Sequence, residues 1–287
     1  MKKIEFSFPE QNKKVIKDYK NLLNSKWILN GPNVKQFEEY FENKLNFKNA
    51  AAVSSYTTGL DAVLKVLNLS KKDEIIIPTF NFIGSAIGVL NSGAKIIFVD
   101  ADEYTAMINL NDLKKKINSK TKAILILHYA GYVESINQIK RIIKNKKILL
   151  IEDCAHSLGS KYNENFVGSL GDVGIFSFGP SKLITTSGMG GMVVSKNKNL
   201  IKKIKIFRSY GMNVNSLDRQ KNKKNWIYSI KNVGHNFRMT EFQAVAGLNL
   251  ITKINKFIKK RKSLEKVYFS KLSKLPLRFI KKIKNTS

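Results

Sequence analysis

The chain has 287 residues, room for one or two domains, and its 43% hydrophobic and 10% aromatic content excludes wholesale disorder and a fibrous repeat. Lys+Arg total 51 against 21 Asp+Glu, a net charge of +30, and the single cysteine, Cys154, excludes an internal disulfide and a Cys-rich metal site. No apolar run is long enough to span a bilayer and the N-terminal segment lacks a leader's apolar core, so the expectation is a cytoplasmic protein.

Residues 13–27 carry Val15, Ile16, Tyr19, Leu22 and Leu23 at helical spacing, and Asn30-Gly31-Pro32 then breaks the chain. Val34, Phe37, Tyr40 and Phe41 mark a second helix. Short apolar runs and helical stretches then alternate. Strands are expected over 50–53, 74–77, 95–99, 123–127 and 148–151. Helices are expected over 57–69 (capped by Thr57 or Thr58), 82–91, 111–117 and 135–144. Continuous apolar strands alternating with amphipathic helices predict a largely parallel sheet covered on both faces. Asp100, His128, Glu152 and Asp153 follow strand ends, where open α/β sheets bind ligands.

Beyond Gly159 two strands, 173–178 and 191–195, flank a loop rich in Gly, Ser and Thr, as at the mixed edge of a large sheet. Helices follow over 199–207, 239–251 and 254–272. Residues 213–232 are polar and without period, and 279–287 trail off in lysines.

Three units carry chemistry. In FSFGPSKLITTSGMGG, Lys182 sits between apolar runs among small residues that let a ligand approach the backbone. A lysine in a partly apolar pocket loses its charge readily and attacks carbonyls, whereas a solvated lysine does neither. In IEDCAHSLGS, Asp153 directly follows a buried strand, so its carboxylate is either used on a ligand or paired in a cap or loop. In SSYTTGL, hydroxyls and free N–H groups at a helix start make an anion site or an ordinary cap. Together, a reactive lysine, an acid that keeps a ring nitrogen protonated and a phosphate cradle are what pyridoxal phosphate requires.

From about Trp27 to Leu272 the chain resembles the DegT/DnrJ/EryC1/StrS family of pyridoxal-phosphate-dependent sugar aminotransferases. The landmarks, in the family's order, are WILNGPNVKQFE, SSYTTGLDAVL, DEIIIPTFNFIGSA, IIFVDAD, LHYAGY, IEDCAHSLGS, GDVGIFSFGPSKLITTSGMGG, FRSYGM and GHNFRMTEFQA. The resemblance implies fold type I, a three-layer α/β/α domain around a mostly parallel mixed seven-stranded sheet. It implies an N-terminal helix and entrance loop over 1–33, a cofactor-binding large domain over 34–250 and the start of a truncated small domain over 251–287.

Residue by residue, Lys182 matches the Schiff-base lysine and Asp153 the carboxylate on the pyridinium nitrogen. Phe82 matches the aromatic residue stacked on the ring, and Ala155 the small residue on its other face. Thr57 and Thr58 match the phosphate cradle, Ser177 a phosphate-binding hydroxyl, and Asn236 an asparagine reaching the phosphate from a neighbouring subunit, which implies a homodimer with shared sites. His156 matches the residue beside the cofactor's O3′ side, and Gly31 and Pro32 the sugar entrance. The implied activity is transamination from an amino acid, usually L-glutamate, to a nucleotide-linked keto-sugar, with Lys182 carrying the proton.

Three residues depart from the family's habit: Tyr56 before the cradle threonine, Met189 and Asn109. None is expected to touch the Lys182–Asp153 pair. The chain stops earlier than most members, so an impaired variant that only binds cofactor or dimerises is the alternative expectation. Lys182 argues against the family's dehydratases, which carry histidine there. The lysines are spread over nearly every helix together with many Asn and Ile, as an A/T-biased coding sequence gives, so no nucleic-acid or membrane partner is expected. No G-x-G-x-x-G follows the first strand, which argues against a dinucleotide-binding enzyme.

Overall fold

The computed structural model describes residues 13–25, 27–213, 227–281 and 286. Helices α1 (Lys14–Ser25) and α2 (Pro32–Asn43) precede β1 (Asn49–Val53) and α3 (Tyr56–Lys65). Then come β2 (Glu74–Pro78), α4 (Ile83–Ser92), β3 (Lys95–Val99), α5 (Leu110–Lys116), β4 (Thr121–Leu127), α6 (Ile136–Ile142) and β5 (Leu149–Asp153). A small hairpin, β6 (Lys161–Tyr162) and β7 (Asn165–Phe166), leads to β8 (Val173–Ser177), β9 (Gly191–Ser195) and α7 (Lys198–Phe207). Helices α8 (Glu241–Ile251) and α9 (Ile254–Leu272) follow.

Seven strands form one sheet in the order β1-β9-β8-β5-β4-β2-β3. β9 runs antiparallel to both β1 and β8, and the remaining pairs are parallel. Alternate side chains of each apolar run enter opposite layers. Ile76, Ile124, Leu150 and Phe176 join Phe37 and Phe41 of α2, Leu113 of α5, Ile139 of α6 and Leu250 of α8. Ile75, Ile77, Leu125, Ile151 and Ile175 join Leu60 and Leu64 of α3, Val89 of α4 and Ile204 of α7. Strands apolar on both faces thus become the middle layer of three, because each face needs a helical cover. Phe41 anchors the first layer, fully buried with edge-on or tilted contacts to Phe37, Phe176 and Phe178 at ring-centroid distances of 5.5–5.9 Å.

Local chemistry moved several boundaries. α3 begins at Tyr56 because Ser55, not Thr57 or Thr58, is its N-cap; the Ser55 hydroxyl accepts from the Thr58 N–H, and Thr58 Oγ1 accepts from the Ser55 N–H at 3.0 Å. That helix ends at Lys65 rather than 69, before Asn68 turns left-handed at φ 52°. β5 runs through Glu152 and Asp153, so the acids end the strand rather than follow it. α8 starts two residues later than the periodicity predicts, behind a Thr240–Gln243 capping box. The β6–β7 hairpin escaped the sequence reading: its turn residues Asn163 and Glu164 both have positive φ (44° and 62°), without the Asn-Gly pair that announces such turns. Of the polar stretch 213–232, residues 214–226 lie outside the described residues, as do 282–285 and 287 of the tail.

Candidate active site

The parallel strands β2, β4, β5 and β8 all end on one edge of the sheet, and antiparallel β9 starts there. The loop from Phe178 to Gly190 therefore leaves β8 and re-enters β9 at that edge, and it carries Lys182. β8 and β9 are in register at Ser177 and Gly191. Gly191 lies against the start of α3 so closely that a Cβ there would sit 2.6 Å from the Ser55 carbonyl. Ser177, the Lys182 loop and the first turn of α3 are thereby brought together.

Asp153 ends β5 and is 2% exposed. The backbone N–H of Ala155 donates to its Oδ1 at 3.0 Å, the Tyr56 phenol to Oδ2 at 2.6 Å and the Ser85 hydroxyl to Oδ2 at 3.4 Å. Burial raises the Asp153 carboxyl above its ordinary range, opposed by the Tyr56 phenol, the Ala155 N–H and the Lys182 charge. Lys182 is half-buried and sits below the ordinary lysine range; burial is the main cause, and the Asp153 charge pulls the other way. Each of the two groups feels the other's charge, and both belong to the edge of the sheet where β5 and β8 end.

His156 reaches the surface, but burial of its inner side and the Lys182 and Arg261 cations bring its pKa down to about 4. Its ring packs edge-on against Tyr129 at 5.7 Å, and Tyr129 against Phe80 at 4.8 Å, an aromatic rim beside the lysine. Phe82 stands at the N-cap of α4 and is 73% exposed. A Cβ added to Gly84 would lie 3.1 Å from both Thr57 Oγ1 and the Phe82 ring, so this glycine keeps a cradle open between them.

Not every predicted residue arrives at this cavity in the form expected. Thr58 Oγ1 is engaged with Ser54 and Ser55, which leaves the Thr57 hydroxyl and the first N–H groups of α3 for an anion. Asn236 is exposed, and its Oδ1 accepts from Arg238 Nε at 2.9 Å. Gly31 and Pro32 start α2, where Glu241 of α8 accepts from the N–H of Gly31, Asn33 and Val34 at 2.7–3.0 Å. Tyr56 corrects an expectation outright: its phenol meets the aspartate of the pair it was not expected to touch. Of the other departures, Asn109 caps α5 and Met189 is 54% exposed.

A second buried network lies on the other face of β5. His128 Nδ1 accepts from the Glu134 N–H at 3.0 Å, so Nε2 carries the proton toward Glu152 Oε2 at 2.9 Å. Glu152 also accepts from the N–H of Gly168 and Gly171 at 2.8 and 2.5 Å. His128, Glu152 and Cys154 lie close enough to hold a metal ion, but these hydrogen bonds already use the lone pairs of His128 and much of the carboxylate. The sequence places both residues at strand ends; that they pair follows from neighbouring β4 and β5 side chains sharing a face.

A sheet of this order, with a lysine-bearing loop and a buried carboxylate at its carboxyl edge, is that of the α/β enzymes of pyridoxal-phosphate fold type I. Residues 9–287 match the DegT/DnrJ/EryC1/StrS aminotransferase family, and the chain belongs to it. It is 37% identical over 246 residues to the uncharacterized protein MJ1066 of Methanocaldococcus jannaschii, covering 86% of this chain and 64% of that one. It is 36% identical over 261 residues to the GDP-perosamine synthase of Escherichia coli O157:H7, covering 90% and 69%. Among solved structures, Helicobacter pylori PseC, an aminotransferase involved in the biosynthesis of pseudoaminic acid, superposes with a TM-score of 0.88 at 30% identity over 96% of this chain and 72% of its own. The chain thus spans 64% and 69% of the length of these two curated relatives. The family's cofactor is pyridoxal phosphate. The residues here fit it: an open aromatic face at Phe82, a cradle that a Cβ at Gly84 would fill, a buried carboxylate and an amine of lowered basicity. Among the described residues no helix is long and apolar enough to cross a membrane.

Proposed function

We propose that this chain is an aminotransferase that moves an amino group from an amino acid, L-glutamate in the first instance, to a nucleotide-linked keto-sugar in amino-sugar and surface-polysaccharide biosynthesis. The observation that carries the reading is the placement, at one edge of the sheet, of the buried Asp153 at the end of β5, the Lys182 loop between β8 and β9, and the first turn of α3 against Gly191. The relatives named as a perosamine synthase and as a spore coat polysaccharide biosynthesis protein support the sugar and polysaccharide part.

When bound, pyridoxal phosphate supplies the electron sink for the reaction. Lys182 Nζ would hold the cofactor covalently and, once released by the incoming donor amine, would take and return the donor's Cα proton, its lowered basicity leaving more of the amine unprotonated. Asp153 accepts the ring N–H. Phe82 and Ala155 pack on the two ring faces. Thr57 and Ser177 would receive the phosphate, the Thr58 N–H being engaged by the Ser55 hydroxyl, and Asn236 of a second copy would complete that site in a homodimer. His156, neutral at pH 7, hydrogen-bonds the cofactor's hydroxyl side. Gly31 and Pro32 line the sugar entrance. Residues 34–250 form the cofactor domain, between an N-terminal segment over 1–33 and the beginning of a small domain over 251–287. Assembly and reaction take place in the cytoplasm.

The test is the purified protein mixed with pyridoxal phosphate, L-glutamate and a panel of keto-sugar nucleotides. Expected are a visible absorption band near ~420 nm, formation of 2-oxoglutarate and an aminated sugar. Lys182→Ala is expected to lose the band and to cut the rate by at least about a thousandfold. Absence of the band in the parent protein overturns the reading. A band without amino transfer to any sugar of the panel overturns its substrate half.

A further inference from the structure

Tyr56 is the first residue of α3 and is 7% exposed. Its ring lies in the core layer with Leu60, Ile151 and Ile175, so it has no freedom to swing into solvent. Its phenol is 2.6 Å from Asp153 Oδ2, the shortest of the three donors on that carboxylate. Burial, then the Asp153 charge, raise the phenol well above its ordinary value. It therefore remains a donor wherever the protein is folded.

The other groups facing Asp153 come from several elements. Ser85 of α4 approaches Oδ2 at 3.4 Å, a weak contact. Ala155 offers a backbone N–H to Oδ1. Lys182 on its loop acts through its charge, His128 at the end of β4 is held by Glu134 and Glu152, and the neighbouring Cys154 thiol, pushed up by burial, stays neutral. Glu152, one residue earlier on β5, is engaged with His128, Gly168 and Gly171. No other side chain among the described residues makes a short hydrogen bond to Asp153.

We propose that Tyr56 is a positioning residue for the cofactor's ring nitrogen. Its phenol fixes the orientation of the Asp153 carboxylate and favours the ionised form, so that Oδ1, beyond the lone pair the Ala155 N–H takes, would keep one for the ring N–H. A buried carboxylate with one backbone donor is prone to protonation, and a protonated Asp153 cannot hold a pyridinium. A hydrogen bond to the charged form opposes that, and a rigid aromatic donor does so without water. The assignment rests on the proposed cofactor reading, but its first consequence can be measured without cofactor.

The experiment compares the parent with Tyr56→Phe, which keeps the ring and removes only the hydroxyl. In the cofactor-free protein, carboxyl-carbon NMR of Asp153 is expected to show its pKa raised by roughly one unit in Tyr56→Phe. In the loaded protein, cofactor dissociation followed by absorbance is expected to be roughly tenfold weaker at pH 8, with the visible band's pH titration displaced. In an Asp153→Asn background, Tyr56→Phe is expected to leave affinity unchanged within twofold, an outcome that general loosening of the fold does not give. An unshifted Asp153 titration in the free protein overturns the proposal, as does an equal loss of affinity in both backgrounds. If Tyr56→Phe misfolds by circular dichroism, 3-fluorotyrosine at position 56 replaces it; its more acidic phenol is then expected to lower the Asp153 pKa, and no change overturns the proposal. Failure of the parent to bind pyridoxal phosphate at all would instead sink the cofactor reading and leave the NMR result standing.

Discussion

His156 stands beside two cations, Lys182 and Arg261, with one side of its ring removed from water. Burial first, then those charges, hold its pKa at about 4, against about 6.5 in an unfolded chain. Between those values the unfolded chain binds a proton that the folded one refuses, so stability falls as pH drops through the window. His156→Gln is therefore expected to resist acid better than the parent, with urea midpoints that coincide above about pH 7 and separate below about pH 6. Equal midpoints at pH 5 would contradict the assignment. Lys182→Met, which deletes the charge with the larger effect, is expected to raise the histidine's titration in an imidazole NMR series.

The N-terminus of α2 has no cap of its own, because Gly31 stands at the N-cap and Pro32 follows. Glu241 supplies what the sequence omits, from 210 residues away. Its fully buried carboxylate accepts from three backbone N–H groups and from Asn33 Nδ2 at 2.8 Å, and its charge opposes the positive end of the helix. Glu241→Ala leaves these donors buried and empty and is expected to cost on the order of 3 kcal/mol, read as a lower urea midpoint at unchanged slope. Glu241→Gln keeps one acceptor but loses the charge and is expected to cost about half as much. A loss below about 1 kcal/mol for the alanine variant would mean that water replaces the carboxylate.

Glu38 ties α2, β1 and α7 into one body. It accepts from the Ala52 N–H at 2.9 Å, from Lys205 at 2.7 Å and from the buried Arg208, whose guanidinium also reaches the Ala52 carbonyl. Burial works to raise the Glu38 pKa, but Arg208 and Lys205 outweigh it and the net shift is downward. The stability it contributes is therefore present above the unfolded carboxyl's pKa of about 4.3 and is lost as pH falls below it. Glu38→Gln is expected to lower stability by about 3–5 kcal/mol at pH 7, because Arg208 is left buried without its counter-charge. The gap between variant and parent is expected to shrink toward pH 3. A double replacement, Glu38→Leu with Arg208→Leu, is expected to recover much of the loss, since two apolar groups need no partners. Denaturant curves at pH 3, 5 and 7 decide it; a pH-independent gap would show that packing, not charge, is at stake.

The amino-acid string by itself determined the sandwiched sheet and its chemical edge. Apolar residues in unbroken runs must be covered on both faces, and polar residues are tolerated only where strands stop. Lys182 and Asp153 were singled out on that ground, each by its immediate neighbours. The strand order was not legible: β9 lies between β1 and β8, although 137 residues separate the end of β1 from the start of β9 in the chain. Nor were the contacts made across it. The Tyr56 phenol meets a carboxylate 97 residues on, and Glu241 caps a helix that begins before the first strand. Side-chain spacing describes only what lies within a turn or two. Which buried polar groups find each other depends on how helices seat on the sheet, and the cost of leaving any of them unpaired makes that seating unique.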